Sequence, residues 1–377
     1  MKRKIININS NIELDEFKKV VGFVSEEIIS FTIDGEKIIL ELTDFADGGK
    51  IEDELIELSE KYVTTNQEKN LKFQNLIERD YYFNYKESSC IHHFKYGLIG
   101  MDDKAVFLYK YFDTKFSEFA IEMNAIEKIY PVLLPVGAYK KTGYLKNSPQ
   151  YAMFCCSAYE NIHLLEGLND LVETKKIDTV LNSPEYALSP SACFHTYIEF
   201  ENQVLPGETI VTFTQNVFRN EGRFSFSETG RLRDYHVREI VMIGDQEFVK
   251  KMREKILNKA IDFMKDISLC GDVVIASDPF IMPKLQKYKK IQLIEASKYE
   301  MRLKYEMEKQ MSVASFNLHG TAFTYPFNIK VKGCDETVTG CVGFGLERWV
   351  IAFISQYGLE ISNWPKILRK EYFNEKC

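Results

Sequence analysis

Gly340-Cys341-Val342-Gly343-Phe344-Gly345-Leu346-Glu347-Arg348-Trp349 gathers a thiol, three glycines and an arginine just before the apolar run Trp349-Val350-Ile351-Ala352-Phe353-Ile354. Glycine lets a backbone approach a ligand that a side chain would hold off, and the run that follows reads as a buried helix. An arginine on the first turn of such a helix presents a planar, permanently charged fork to phosphate oxygens. Taken alone, glycines before a helix are more often plain turn chemistry, so the meaning of this stretch depends on what lies upstream.

The chain of 377 residues can bury a large domain and a small one. A hydrophobic content of 45% and a charged content of 27% describe an ordinary globular protein. The net charge of -7 argues against broad electrostatic capture of nucleic acid. No window holds the roughly 18 apolar residues of a membrane span. The N-terminal Met1 to Ile8 has charge without a long apolar segment, so no signal peptide is expected and the protein reads as cytoplasmic. The eight cysteines are scattered, which suits reduced thiols available for burial or for metal.

Residues 1–85 read as a small α/β module: a helix from Ile12 to Ile29, a hairpin at Asp34-Gly35, a second helix from Glu52 to Tyr62, and a polar boundary at Thr64 to Asn70. No chemistry attaches to it, and a structural appendage is the plainer reading. Cys90-Ile91-His92-His93 is discounted as a metal site, because neighbours on a strand face opposite sides. From residue 95 onward the pattern predicts a strand over Ala105 to Tyr111 and a helix over Phe112 to Ile129. Next comes a proline-bearing edge at Pro131, where a second subunit can pack. A strand over Thr212 to Glu221, a loop over Gly222 to Gly230 and a return strand to Gly244 could hold a nucleoside triphosphate. Arg219 would grip phosphate and Glu221 would accept from an adenine amino group. The bland alternative is a hairpin with solvated charges. Lys284, Lys287, Lys289 and Lys290 form a basic cluster able to meet an acidic partner.

In order, these pieces resemble motifs 1, 2 and 3 of the class II aminoacyl-tRNA synthetases. More narrowly, the chain resembles the amino acid–carrier protein ligases, truncated relatives of the atypical zinc-dependent seryl-tRNA synthetases. The matching strings are Leu188 to Cys193, His236 to Gly244, Asp278-Pro279-Phe280, Ser315 to His319 and Gly340 to Arg348, within residues 95–365. The resemblance implies an α+β fold, with an antiparallel sheet flanked by helices over 95–377, joined to the small module and dimerised through the Pro131 region.

It also implies zinc on Cys193, Glu239 and Cys341, three ligands that leave a fourth position open to a substrate amine. His195 is a rival ligand, two positions beyond Cys193 and so on the same face if the segment is a strand. ATP, with Mg²⁺, would meet Arg219, Glu221, Arg231, Tyr235 (the adenine-stacking aromatic), Glu300 and Arg348. Glu306 is the competing register for Glu300. Ser315 and Asn317 would meet the amino acid, expected to be glycine or alanine, and Leu318 stands where tyrosine is common. The expected acceptor is the phosphopantetheine thiol of a carrier protein, with tRNA disfavoured for want of a basic helical arm. A tRNA-aminoacylating enzyme and a non-catalytic amino-acid-binding paralogue are the alternatives.

Overall fold

The computed structural model describes residues 1–8, 12, 14–62, 71–77, 79–222, 224–227, 229–278 and 282–376. Asp34-Gly35 turns the chain as its sequence predicts, with Gly35 at φ 55, a left-handed value that glycine adopts without penalty. The turn joins two strands of a small module built from β1 (Lys2–Asn7), α1 (Leu14–Val21), β2 (Ile28–Asp34), β3 (Lys37–Leu42) and α2 (Gly48–Lys61). Its antiparallel sheet runs β1-β3-β2. Asp47 caps α2 by accepting from the amides of Gly49 and Lys50. Phe17, Val21, Ile38, Leu40 and Leu55 form a core of its own. The first helix is shorter than expected, because the chain leaves it at Val21 and enters β2 at Ile28.

The polar boundary at Thr64 to Asn70 lies outside the described residues. Beyond it, β4 (Leu71–Asn75) pairs with the large sheet, so part of the stretch assigned to the module from sequence lies with the second body.

Helix α3 (Asp103–Ile121) corrects the expected strand over Ala105 to Tyr111. Ala105, Leu108, Phe112, Phe116 and Phe119 are all buried at spacings of three and four, the helical period. Aromatic content argued for a strand, and periodicity overrides it. The expected continuation to Ile129 also fails: Asn124 turns at φ 58 and residues 126–127 form the short strand β5 (Ile126–Glu127).

The remaining elements that place the site are α4 (Phe194–Glu199), β6 (Thr209–Phe218), β7 (Asp234–Gly244), α5 (Gln246–Asp266), β8 (Gly271–Ile275), α6 (Gln286–Ile294), β9 (Lys298–Lys304), β10 (Gln310–Gly320), β11 (Val338–Gly345) and α7 (Leu346–Tyr357). The eight-stranded sheet runs β4-β8-β9-β10-β11-β7-β6-β5. It is antiparallel except at its edge, where β5 lies parallel to β6.

Two-residue alternation divides its faces. Ile240, Met242, Val342 and Phe344 enter the core shared with α3, α5 and α7, while Tyr235, Val237, Val241 and Cys341 enter the opposite one with Phe194 and Tyr197. On the helix side Phe116 stacks on Phe344 at 4.1 Å and meets Trp349 at 5.0 Å. Trp349 to Ile354 are fully buried, so each large side chain there contributes about 1.5–3 kcal/mol. The other face, lined from β7 and β11, holds the chemistry.

Candidate active site and metal centre

The glycine-rich stretch is strand rather than turn. Gly340 to Gly345 lie within β11, and Arg348 stands on the first turn of α7. Across β11 the register places Glu239 opposite Gly343, Gly343 opposite Ser315, and Ser315 opposite Glu300. One row further along, Cys341 lies opposite Asn317, which lies opposite Lys298. Residues from four strands thereby share one floor.

On that floor one ligand atom from each of Cys193, Glu239 and Cys341 lies within 4.8 Å of the other two, and all three residues are buried. Cys193 comes from the turn that enters α4, Glu239 from β7 and Cys341 from β11. A hydrogen bond from Cys341 holds the Cys193 thiol below its ordinary range, against the opposing effect of burial. The same bond raises Cys341, burial raises it further, and Glu239 is raised by burial and by the charge of Cys193. Three acidic groups in contact cannot all ionise without a cation. Two zinc–sulfur bonds of about 2.3 Å at a tetrahedral angle set the sulfurs about 3.8 Å apart, and these ligand atoms all lie within 4.8 Å of one another, so the donor set suits a tetrahedral ion.

Hydrogen bonds orient these sulfurs. Asn317 Nδ2 donates to Cys341 Sγ at 3.5 Å and to Ser315 Oγ at 3.2 Å. His319 Nε2 lies 3.6 Å from Cys341 Sγ, and its Nδ1 is 3.1 Å from Thr339 Oγ1. Burial pushes His319 down to about 4, so it is neutral at physiological pH. Ser191 Oγ lies 3.3 Å from Cys193 Sγ. Ser191 and His319 were quoted in the sequence strings without a role; the alternation 315, 317, 319 along β10 was the signal that places His319 beside Asn317.

His195 is excluded from this cluster. The segment after Cys193 is helical, so two residues rotate the side chain by about 200° instead of returning it to the same face. Its Nε2 lies 3.0 Å from the carbonyl oxygen of Leu133, and its Nδ1 accepts from Gln215 at 3.3 Å. Leu318 also leaves the site: it packs on the helix-side core, opposite in face to Asn317.

The arginines gather on Tyr235. Arg348 Cζ lies 4.8 Å and Arg219 Cζ 5.7 Å from its ring centroid, and Tyr235 is buried. Arg219 Nε donates to the carbonyl of Pro190 at 3.1 Å. Arg348 Nη1 donates to the Ser312 carbonyl at 3.2 Å, while its Nε is buried without a partner. Glu221 is buried too. Its Oε2 pairs with Arg231 at 3.4 Å and its Oε1 is unpartnered. Buried polar atoms left unpaired are costly, and here they sit on residues suited to a nucleotide.

Glu300 lies on the same floor, its Oε1 3.3 Å from Lys298 Nζ, which also holds Asp278 at 2.9 Å. Glu306 lies beyond the end of β9 in an exposed pair with Lys309. Lys298, two residues before Glu300 on one face of a strand, was missed and readable from that spacing. Pro279 and Phe280 lie outside the described residues. His92 bonds Asp102 and His93 meets Tyr85, so that pair points apart as expected.

Residues 176–357 match the tRNA synthetase class II core domain (G, H, P, S and T). The match covers a little under half of the chain and lies on a class II synthetase-like fold. The chain is similar in sequence to type-2 serine–tRNA ligases. Over 279 residues it is 28% identical to that of Methanococcus maripaludis, covering 70% of this chain and 54% of the relative. Over 259 residues it is 30% identical to that of Methanocaldococcus jannaschii, covering 65% and 50%. The chain spans about half the length of these relatives.

M. kandleri SerRS, solved in complex with A. aeolicus tRNASec, superposes with a TM-score of 0.72 at 20% identity, over 99% of this chain and 77% of that one. The similarity in fold thus reaches the N-terminal module, which sequence resemblance had left outside. Seryl-tRNA synthetase of Pyrococcus horikoshii complexed with ATP superposes with a TM-score of 0.52 at 14% identity, over 77% and 59%. Among the described residues no helix is long and apolar enough to cross a membrane.

Proposed function

We propose that this chain activates an amino acid with ATP. The amino acid carboxylate attacks the α-phosphorus, the bond to the β-phosphate oxygen breaks, and aminoacyl-adenylate and pyrophosphate form. The observation that carries this reading is the single span from Cys341 to Arg348, which joins the metal-type cluster to the two arginines on Tyr235. A zinc ion held by Cys193, Glu239 and Cys341 would supply an open position for the substrate amine. Arg219 and Arg348 offset the charge that develops on the phosphates, and Mg²⁺ enters with ATP. Glu221 and Arg231 face the base, and Ser315 and Asn317 border the amino acid.

The relatives are named as serine–tRNA ligases, which puts serine ahead of glycine and alanine as substrate and tRNA ahead of a carrier protein as acceptor. The carrier-protein reading keeps one supporting observation: the net charge is -7, yet α6 exposes Lys287, Lys290 and Tyr288, a surface for an acidic partner. Ile126 at the β5 edge, Ile129 just beyond it and Leu133 in the next strand are exposed and suit packing against a second copy of the chain.

The test is ATP–pyrophosphate exchange by zinc-loaded protein across the standard amino acids, followed by labelled serine offered to tRNA and to a holo-carrier protein. Exchange with serine and transfer to tRNA is the expected result. Transfer only to the carrier thiol selects the second reading, and no exchange with any amino acid removes the activation chemistry.

A further inference from the structure

The module of residues 1–62 touches the loop that follows Glu221 through two reciprocal contacts. Phe224 of the loop packs edge-on against Phe31 of β2, with ring centroids 5.2 Å apart and planes at 89°. A Cβ on Gly22, just past α1, would lie 2.8 Å from the Phe224 ring; a Cβ on Gly222 would lie 2.8 Å from the ring of Phe23. Each partner thus sets a phenyl ring over a glycine of the other, closer than any larger residue permits. Gly222 also holds φ 82, which disfavours a side chain there.

The loop has a second anchor two residues on. Phe226 lies against Gly97, where a Cβ would come within 2.3 Å of its ring, and under the Arg233 guanidinium at 4.5 Å. One anchor therefore ties the loop to the module and the other ties it to the catalytic body. Immediately flanking the loop sit Glu221, with its unpartnered Oε1, and Arg231.

Phe23 lies outside the module's buried core. It is 38% exposed and lines a cavity of about 320 Å³ with Val20, Val24, Leu58 and Met282. Its ring also reaches past the module to lie over Gly222 of the loop.

We propose that the N-terminal module is a brace for the nucleotide loop: Phe23 and Phe31 are positioning residues that act through Gly222 and Phe224 to hold Glu221 and Arg231 for ATP. This rests on the ATP reading above, and the test separates the two. In full-length, zinc-loaded protein, Phe23→Ala, Phe23→Leu and Phe224→Ala are compared with wild type by hydrogen–deuterium exchange of residues 222–230. Peptides from residues 37–61 report whether the module stays folded. Phe224 belongs to the loop but packs on the module core, so the same peptides must stay protected in Phe224→Ala for its loop exchange to count.

Both alanine variants are expected to expose the loop, with Phe23→Leu nearer wild type. In pyrophosphate exchange the KM for ATP rises about threefold to tenfold, the range expected for loss of one aromatic pair, while kcat stays within about twofold. Loop protection unchanged in both alanine variants overturns the brace. If wild type exchanges pyrophosphate with no amino acid, the activation reading fails, and loop protection alone still decides the brace.

Discussion

Gly343→Ala should weaken zinc binding at the proposed site without unfolding the sheet. Gly343 sits in β11 directly opposite Glu239 in β7, and a Cβ there would lie 2.8 Å from Glu239 Oε2 and 3.1 Å from Val237 Cγ1. The first distance is about 0.6 Å short of the 3.4 Å at which ordinary contact begins. A carboxylate end is normally free to swing away, but this one is held among two sulfurs on a buried floor. Ligand distances at a zinc site tolerate shifts of about 0.2 Å, so the carboxylate cannot make room and still bind. The expected loss is about tenfold to a hundredfold in zinc affinity, with an overpacking cost of about 1–3 kcal/mol in stability.

Gly345→Ala is the control. Two residues further on the same face, its Cβ would meet Arg348 Cδ and Tyr235 Cε2 at 3.5 Å, which is ordinary contact. Zinc per chain after dialysis against graded chelator measures the affinity, the sulfur-to-metal absorption of the cobalt-substituted protein checks ligation, and thermal melting checks the fold. Folded Gly343→Ala protein that keeps zinc as tightly as Gly345→Ala and wild type would refute the assignment of Glu239 as a ligand.

Glu300→Gln should cut pyrophosphate exchange by about tenfold or more, whereas Glu306→Gln, in an exposed turn pair, should stay within twofold; equal effects would return the site carboxylate to doubt. Arg219→Lys should lose about a hundredfold in kcat, because lysine cannot both bond Pro190 and present a fork to phosphate; near-normal exchange would remove Arg219 from the reaction. His236 gives a pH signature away from the site. Burial opposes its charge, but the hydrogen bond and charge of Glu347 win and raise its pKa. Its stabilisation is therefore complete below the unfolded value of about 6.5 and fades as pH rises through the raised folded value. Being partly exposed, the pair is worth about 1 kcal/mol or less. Melting of His236→Gln should lag wild type at pH 6 and converge with it in the alkaline range, and a gap that widens with pH would contradict the assignment.

Much of the fold was legible where pattern and chemistry agree locally. Asp34-Gly35 and the apolar run from Trp349 each carry their signal within a few residues. α3 was misread because Phe107, Tyr109, Tyr111 and Phe112 invite a strand, although the buried set 105, 108, 112, 116 and 119 has helical spacing. Cys193, Glu239 and Cys341 were reached only through resemblance, since nothing local says that residues 193, 239 and 341 meet. His195 stayed a rival for want of one fact, that a helix begins just after Cys193.

What neither composition nor motif reveals is register, and register makes this site. Glu239, Gly343, Ser315 and Glu300 align because three antiparallel pairings are fixed by which residues of β7, β11, β10 and β9 enter the helix-side core. A slip of one residue in β11 would send Cys341 into that core and Val342 onto the floor. Phe344 stacked on Phe116, and Trp349 buried behind it, oppose that slip. The aromatic packing on one face therefore holds the thiolate chemistry of the other in place. The same strand leads directly into α7, so the packing that sets Cys341 also sets Arg348. On the proposed reading this strand–helix junction would couple amine recognition to phosphate contact, and cavities cut at Phe116 or Trp349 should disturb both together.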